Sequence, residues 1–279
     1  MTDVVAAVGV PHSPFFPAII ESGTPEGRTV AGIFAALTEQ LERARPDVLV
    51  FFLPDHFTDF FEFIPVFDVC VADTAVGPCD YPERGLRTIP VDATLARHVH
   101  RELVGAGYDA SASREPRLDH SAVIPLQMLG TELRVPVVPI RISTFEPPLP
   151  AARRCFELGR TVRRALEASA RPARAAVLAT GSFSLDIGGP RMSDTSHASV
   201  PDPAWLDRVV ELMRAGDFEA LVAQATPEQL DGAGAEAGEL LLWLAMLGTI
   251  DASPPLLIEA QAQYGHAFAG WWQPQAVSV

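Results

Sequence analysis

Apolar positions follow two rhythms along this chain. Val4–Val10 is a short apolar run closed by Pro11, and Val48–Leu53 (VLVFFL) is apolar throughout, the pattern of strands buried on both faces. Between them, Gly32–Ala44 carries Ile33, Leu37 and Leu41 at helical spacing and stops at Pro46-Asp47. Phe63–Ala72 predicts another strand, Asp92–Ala106 a helix, Arg134–Ile142 (RVPVVPIRI) a strand, and Ala152–Ala168 an amphipathic helix. Ala175–Ala179 predicts a buried strand that runs into a Gly/Ser turn. After Pro203 the spacing is helical, over Ala204–Arg214, Phe218–Ala223 and Gly238–Leu247. Strands alternating with helices predict a layered α/β/α fold with a mostly parallel or mixed central sheet and a helical C-terminal third. No repeat or low-complexity linker divides the 279 residues, so a single domain over 1–279 is expected.

Composition narrows the class of partner. The chain is 48% hydrophobic and 20% charged, which is globular rather than disordered. Its apolar runs stop well short of the roughly 20 residues that span a membrane. The N-terminus lacks the basic segment of a secretory signal, and the 3 cysteines show neither metal-finger spacing nor an even count. These features predict a cytoplasmic protein. The net charge is −14, and all 21 basic residues are arginine. That balance disfavours nucleic acid and anionic membranes as partners.

The candidate chemistry lies just past the strands. His12 follows VVAAVGVP and His56 follows VLVFFLPD. In a mainly parallel sheet such strand ends gather at one edge, where two neutral imidazoles make half of a metal site. Spacing alone favours ordinary loop histidines, because no short motif joins them. Glu239 and Glu236 precede the apolar run Leu240–Leu244. Each is read either as a charge stabilised at a helix N-terminus or as a buried carboxylate facing a cation. Two histidines and a carboxylate form the facial triad of non-haem Fe(II) oxygenases, and spacing leaves both readings open. His120 follows Asp119, which either orients an imidazole or caps the next segment. His98 and His100 are expected on a solvated helix surface, and His197 lies in a polar loop.

Five blocks then carry a resemblance: VPHSP at 10–14, LPDHFTDFF at 53–61, LDHSAVIPLQML at 118–129, TGSFSLDIGGPR at 180–191 and GELLLWLAM at 238–246. In this order, over about Val4–Leu247, they resemble the class III extradiol ring-cleaving dioxygenases. Each block is weak alone, whereas five in register are specific. The resemblance implies Fe(II) held by His12, His56 and Glu239. It selects Glu239 over Glu236 because the family's ligand stands four residues before a tryptophan, here Trp243. It implies that His120 lies beside the metal and handles the substrate hydroxyl and oxygen. The implied substrates are O2 and a catechol or related aromatic diol, and a ring C–C bond beside the diol is cleaved. A homo-oligomer, or pairing with a small accessory subunit, is also implied.

One block departs from the family. The family reads G-T-G-G-x-S-H-Q there, with the histidine as acid–base catalyst above the iron. Aligned through Thr180-Gly181, that histidine falls on Leu185 and the glutamine on Asp186. Leucine cannot accept a proton. Leu185 is expected to face the iron cavity, with Asp186 or His197 as the substitute catalyst, although Asp186 also reads as an ordinary turn residue. Two rivals keep part of this picture: a hydrolase-like metalloenzyme on the same scaffold, and a regulatory subunit of a heteromeric dioxygenase. Three apparent metal ligands argue against the second.

Overall fold

The computed structural model describes residues 2–131, 134–171, 173–187 and 198–272. Along the chain run β1 (Thr2–Val10), β2 (Val48–Leu53), β3 (Phe67–Cys70), β4 (Thr74–Gly77), β5 (Arg87–Pro90) and β6 (Ala110–Ser113). They are followed by β7 (Val137–Ile142), β8 (Ala173–Thr180), β9 (Asp186–Ile187), β10 (Ala198–Ser199), β11 (Leu257–Gln261) and β12 (His266–Trp272). Eight of these strands form one sheet in the order β11-β12-β1-β8-β2-β7-β3-β6. The centre, β1-β8-β2-β7, is parallel, whereas β12 runs antiparallel to β1 and β3 antiparallel to β7. All six residues of β2 are buried, as its unbroken apolar run requires.

The helices are α1 (Phe16–Glu21), α2 (Pro25–Ala44), α3 (Ala93–Gly105), α4 (His120–Met128) and α5 (Ala152–Ala168). The C-terminal part adds α6 (Pro203–Ala215), α7 (Phe218–Gln224), α8 (Pro227–Ala233) and α9 (Leu240–Gly248). Helix α2 starts at a Thr24 cap that accepts from the Gly27 N–H at 3.1 Å, and it buries Val30, Phe34, Leu37 and Leu41 along one stripe. Helix α9 is buried all round and packs against α5, which in turn packs against α3. Two glycines show that α2 and α9 cover opposite faces of the sheet. A Cβ on Gly270, paired with Val8, would lie 3.0 Å from Leu37 of α2; one on Gly9 would lie 2.1 Å from the Trp243 ring of α9. Trp243 therefore lies flat on the β1 backbone, a contact that no residue larger than glycine at position 9 permits. This is the expected three-layer α/β/α arrangement.

The differences from expectation have local causes. The strand expected from Phe63 begins at Phe67, after Pro65, which has no N–H for a ladder. Beyond the helical stretch the chain returns as β11 and β12 and extends the sheet past β1. His98 and His100 are not simply solvated: their Nε2 atoms lie 2.8 Å from the Ala165 carbonyl and 3.0 Å from the Ala110 carbonyl. Among the described residues no helix is long and apolar enough to cross a membrane.

Candidate metal centre

The parallel strands β1, β2 and β8 all end at one edge of the sheet, where open α/β sheets bind ligands. His12 lies just past β1 and His56 just past β2. Thr180 ends β8 between them, with its Oγ1 2.9 Å from His12 Nδ1. Glu239 arrives from the other side, in the single 3-10 turn Ala237–Glu239 that leads into α9. The Ser182 N–H donates to its Oε2 at 2.7 Å. Between Thr180 and Ser182, Gly181 adopts φ 128°, and a Cβ there would lie 2.4 Å from Glu239 Cβ, so glycine is what lets the carboxylate approach. Glu239 Oε1 then lies 3.2 Å from His12 Nε2 and 3.7 Å from His56 Nε2.

Neighbouring carboxylates fix the rings. Asp119 Oδ2 accepts from the His56 backbone N–H at 2.7 Å and stands 3.1 Å from His56 Nδ1, so Nε2 is the ring nitrogen turned to the site. Asp119 also caps α4, accepting from the Ser121 N–H at 2.8 Å. Of the expected alternatives for Asp119 the cap is realised, whereas the imidazole that it orients is His56 and not its neighbour His120. His120 is held by Asp80, whose Oδ1 accepts the His120 N–H at 2.9 Å while Oδ2 pairs with Nδ1. The His120 ring stacks on His56 at 4.6 Å and stands 5.3 Å from His12. Phe145 packs on His56 at 4.7 Å, and Tyr81 meets His120 edge-on at 5.6 Å. Asp80, Phe145 and Tyr81 carry no motif and were not singled out from sequence.

Burial pushes the His12 pKa well below the ordinary imidazole value, and the nearby His56 and His120 rings push the same way. Burial also works against a charged His56, but the Asp119 charge and hydrogen bond outweigh it and raise its pKa to about 9. Burial would raise Asp119, yet His56 holds its carboxyl well below the usual range. Glu239 is pushed well above the carboxylate range by burial, then by Glu236. Glu239 is 1% exposed, and its Oε1 has no hydrogen-bond partner among the described residues. An orphaned carboxylate oxygen facing two imidazole nitrogens is costly as it stands. The set is satisfied by a cation, and two nitrogens with one oxygen suit a divalent first-row metal. The residues present fit that group.

The remaining expected residues are placed as follows. Asp186 is buried in β9 and its Oδ1 accepts from the Ala235 N–H. Leu185 is half-buried, and its carbonyl accepts from the Glu236 N–H at 2.9 Å. The Glu236 carboxylate joins His56 and Glu239, with ligand atoms all within 4.8 Å of one another. His197 and the Gly188–Arg191 turn lie outside the described residues. The fold thus gathers His12, His56, His120 and Glu239, adds Glu236, and ties Asp186 to the same corner through backbone.

Residues 6–270 match the family model described as the catalytic LigB subunit of aromatic ring-opening dioxygenase. The chain belongs to the LigB family. It is 30% identical over 186 residues to the gallate dioxygenase of Pseudomonas putida, covering 66% of this chain and 51% of that protein. It is 35% identical over 175 residues to a 2,3-dihydroxyphenylpropionate/2,3-dihydroxicinnamic acid 1,2-dioxygenase of Photorhabdus laumondii, covering 61% and 54%. The chain therefore spans about half the length of these two relatives. A LigB relative of that second name from Cupriavidus necator is 25% identical over 280 residues, with 87% of each chain covered. The crystal structure of the uncharacterized protein JW3007 from Escherichia coli K12 superposes with a TM-score of 0.60 at 16% identity, over 95% of this chain and 98% of that one. That likeness shows a shared fold.

Proposed function

We propose that this LigB-family chain is an Fe(II)-dependent extradiol-type dioxygenase that opens a catechol-like ring with O2. The observation that carries the reading is the convergence of His12 Nε2 and His56 Nε2 on the orphaned Oε1 of Glu239. These three residues hold the iron. When bound, the iron acidifies the two adjacent hydroxyls of a chelating diol and passes electron density to O2.

The protein's own groups do the rest. Asp119 fixes the tautomer and orientation of His56, and Thr180 positions His12. Asp80 engages His120 Nδ1 and leaves Nε2 free to handle the substrate hydroxyl or oxygen. Phe145 and Tyr81 flank the imidazoles with aromatic ring surface. The relatives' names point to aromatics with adjacent hydroxyls, which supports the substrate class. A homo-oligomer or a small accessory subunit, and a cytoplasmic location, belong to the same proposal.

Anaerobic loading with Fe(II), followed by oxygen-electrode assays over a catechol panel, tests this reading. The expected result is about one iron per chain, as this ligand set requires, with oxygen uptake matched by ring-opened product. Iron and aromatic binding without oxygen uptake would replace it with the hydrolase-like metalloenzyme.

A further inference from the structure

On the family resemblance Leu185 takes the place of the acid–base histidine, and the chain segment packed against its backbone carries a carboxylate. Gly234, at φ 131°, is so close that a Cβ would lie 2.4 Å from the Leu185 carbonyl oxygen. The next two residues are bonded to the same loop, Ala235 to the Asp186 carboxylate and Glu236 to the Leu185 carbonyl at 2.9 Å. Glu236 therefore stands beside position 185, onto which the family's histidine aligns. We propose that Glu236 is the proton-transfer residue of this site, supplied by the neighbouring segment in place of the imidazole missing at position 185. This inference rests on the dioxygenase reading above.

Backbone geometry aims Glu236 at the site. It precedes the 3-10 turn Ala237–Glu239, whose i to i+3 bond runs from the Glu239 N–H to the Glu236 carbonyl at 3.1 Å. Side chains three apart on such a turn eclipse, so Glu236 and Glu239 project to the same side. They are not equivalent. Glu239 is buried and bonded to Ser182, whereas Glu236 is half-buried and no hydrogen bond from the described residues engages its carboxylate. One is tied into the turn after β8 beside the two imidazoles, and the other is the more exposed carboxylate, within 4.8 Å of His56 and Glu239. Asp186 is poorly placed for this task, because it is 1% exposed and its Oδ1 is already bonded to the backbone at Ala235.

The step balances without another reactant. As the diol binds, one hydroxyl O–H bond breaks and its proton passes to the Glu236 carboxylate. After ring opening, that proton returns to an oxygen of the product and restores the carboxylate.

The test is Glu236→Gln, which keeps size and removes the proton acceptor, with Glu236→Asp retaining a carboxyl. Iron content should stay at the wild-type level, while kcat falls by roughly 10²–10⁴-fold with KM little changed. Glu236→Asp should keep more turnover than Glu236→Gln. Adding Leu185→His to Glu236→Gln should recover at least about tenfold of the loss, since it returns an acid–base group to that corner. Anaerobic titration with 4-nitrocatechol gives a readout independent of turnover: its visible spectrum reports ionisation, and the ionised fraction should drop in Glu236→Gln. Loss of iron in Glu236→Gln would make Glu236 a ligand and overturn the proposal. Wild-type turnover or an unchanged nitrocatechol spectrum would also overturn it. Absent oxygen uptake by the wild type itself sinks the dioxygenase reading instead, and the nitrocatechol spectra then decide Glu236 alone.

Discussion

Arg141 and Glu239 are both charged and both almost wholly buried, at 2% and 1% exposure, yet their surroundings differ in kind. Arg141, on β7, donates from Nε and Nη2 to Asp68 Oδ2 at 3.0 and 2.8 Å, and from Nη1 to Asp59 Oδ2 at 2.7 Å. Ser111 and Ser113 donate to the other Asp68 oxygen at 2.6 and 2.8 Å, and the Phe60 ring lies 4.0 Å from the guanidinium. This cluster is closed by protein atoms: the guanidinium nitrogens and both Asp68 oxygens have partners, with one cation shared among the carboxylates. Around Glu239 the Ser182 N–H takes up Oε2, while Oε1 meets His12 Nε2 and His56 Nε2 with no hydrogen bond to it among the described residues. A buried network completed by protein atoms holds structure, and one that lacks a positive centre is shaped for a ligand.

The closed cluster also serves the open one. Arg141 lies 3.7 Å from Asp55, whose carboxylate accepts N–H groups from Thr58, Asp59 and Phe60, each at 3.1 Å. That turn carries His56 and holds the next residue, Phe57, at φ 54°, a left-handed conformation costing about 1–2 kcal/mol for an ordinary residue. The strain beside the metal corner is sustained by bonds made a few residues away.

The comparison is broken most severely at the open cluster. His56→Ala or Glu239→Ala should reduce iron from about one per chain to background and abolish oxygen uptake, while the metal-free protein unfolds no more easily than the wild type. A metal-free variant that melts much lower would show that the cluster is structural. At the closed cluster the effects should exchange. Arg141→Met leaves the buried Asp68 and the part-buried Asp59 without a counter-charge and should lose about 3–5 kcal/mol in urea unfolding; a loss below about 1 kcal/mol would deny that the cluster is held by its one cation. Asp119 stands between the two roles. Asp119→Asn should weaken iron affinity by roughly 10–100-fold in chelator competition, through the orientation of His56, and unchanged affinity would separate Asp119 from the centre.

The mildest test concerns His266, a buried histidine outside both clusters whose charge is felt at His12. Burial lowers the His266 pKa to about 3, and its Nε2 lies 2.8 Å from Gln261 Oε1. The unfolded chain, titrating near 6.5, binds the proton more readily between these values, so stability is complete above about pH 6.5 and declines as pH falls. From pH 6.5 to 5 this group should remove about 2 kcal/mol. His266→Leu should flatten that slope in denaturant titrations at the two pH values; an unaltered slope would place the acid sensitivity elsewhere.

The apolar runs of β1, β2 and β8 and the spacing of α2 and α5 were legible in the chain, because burial on one or both faces imposes a periodicity of its own. The closing pair β11 and β12 was less so. Residues such as Glu259 and Gln261 on β11 give no clean alternation at a sheet edge. His12 and His56 stand just past apolar strands, which alone favoured loop histidines; the family resemblance made them candidate ligands. Sequence alone determined the elements, the layered class and the short set of residues able to bind a metal. Tertiary structure decided that Asp119 serves His56 while Asp80 serves His120, that Gly181 admits Glu239, and that Glu236 stands beside Leu185. These pairings join residues far apart along the chain. Local propensity carries no record of such contacts, and only the packing of distant elements brings them within hydrogen-bond range.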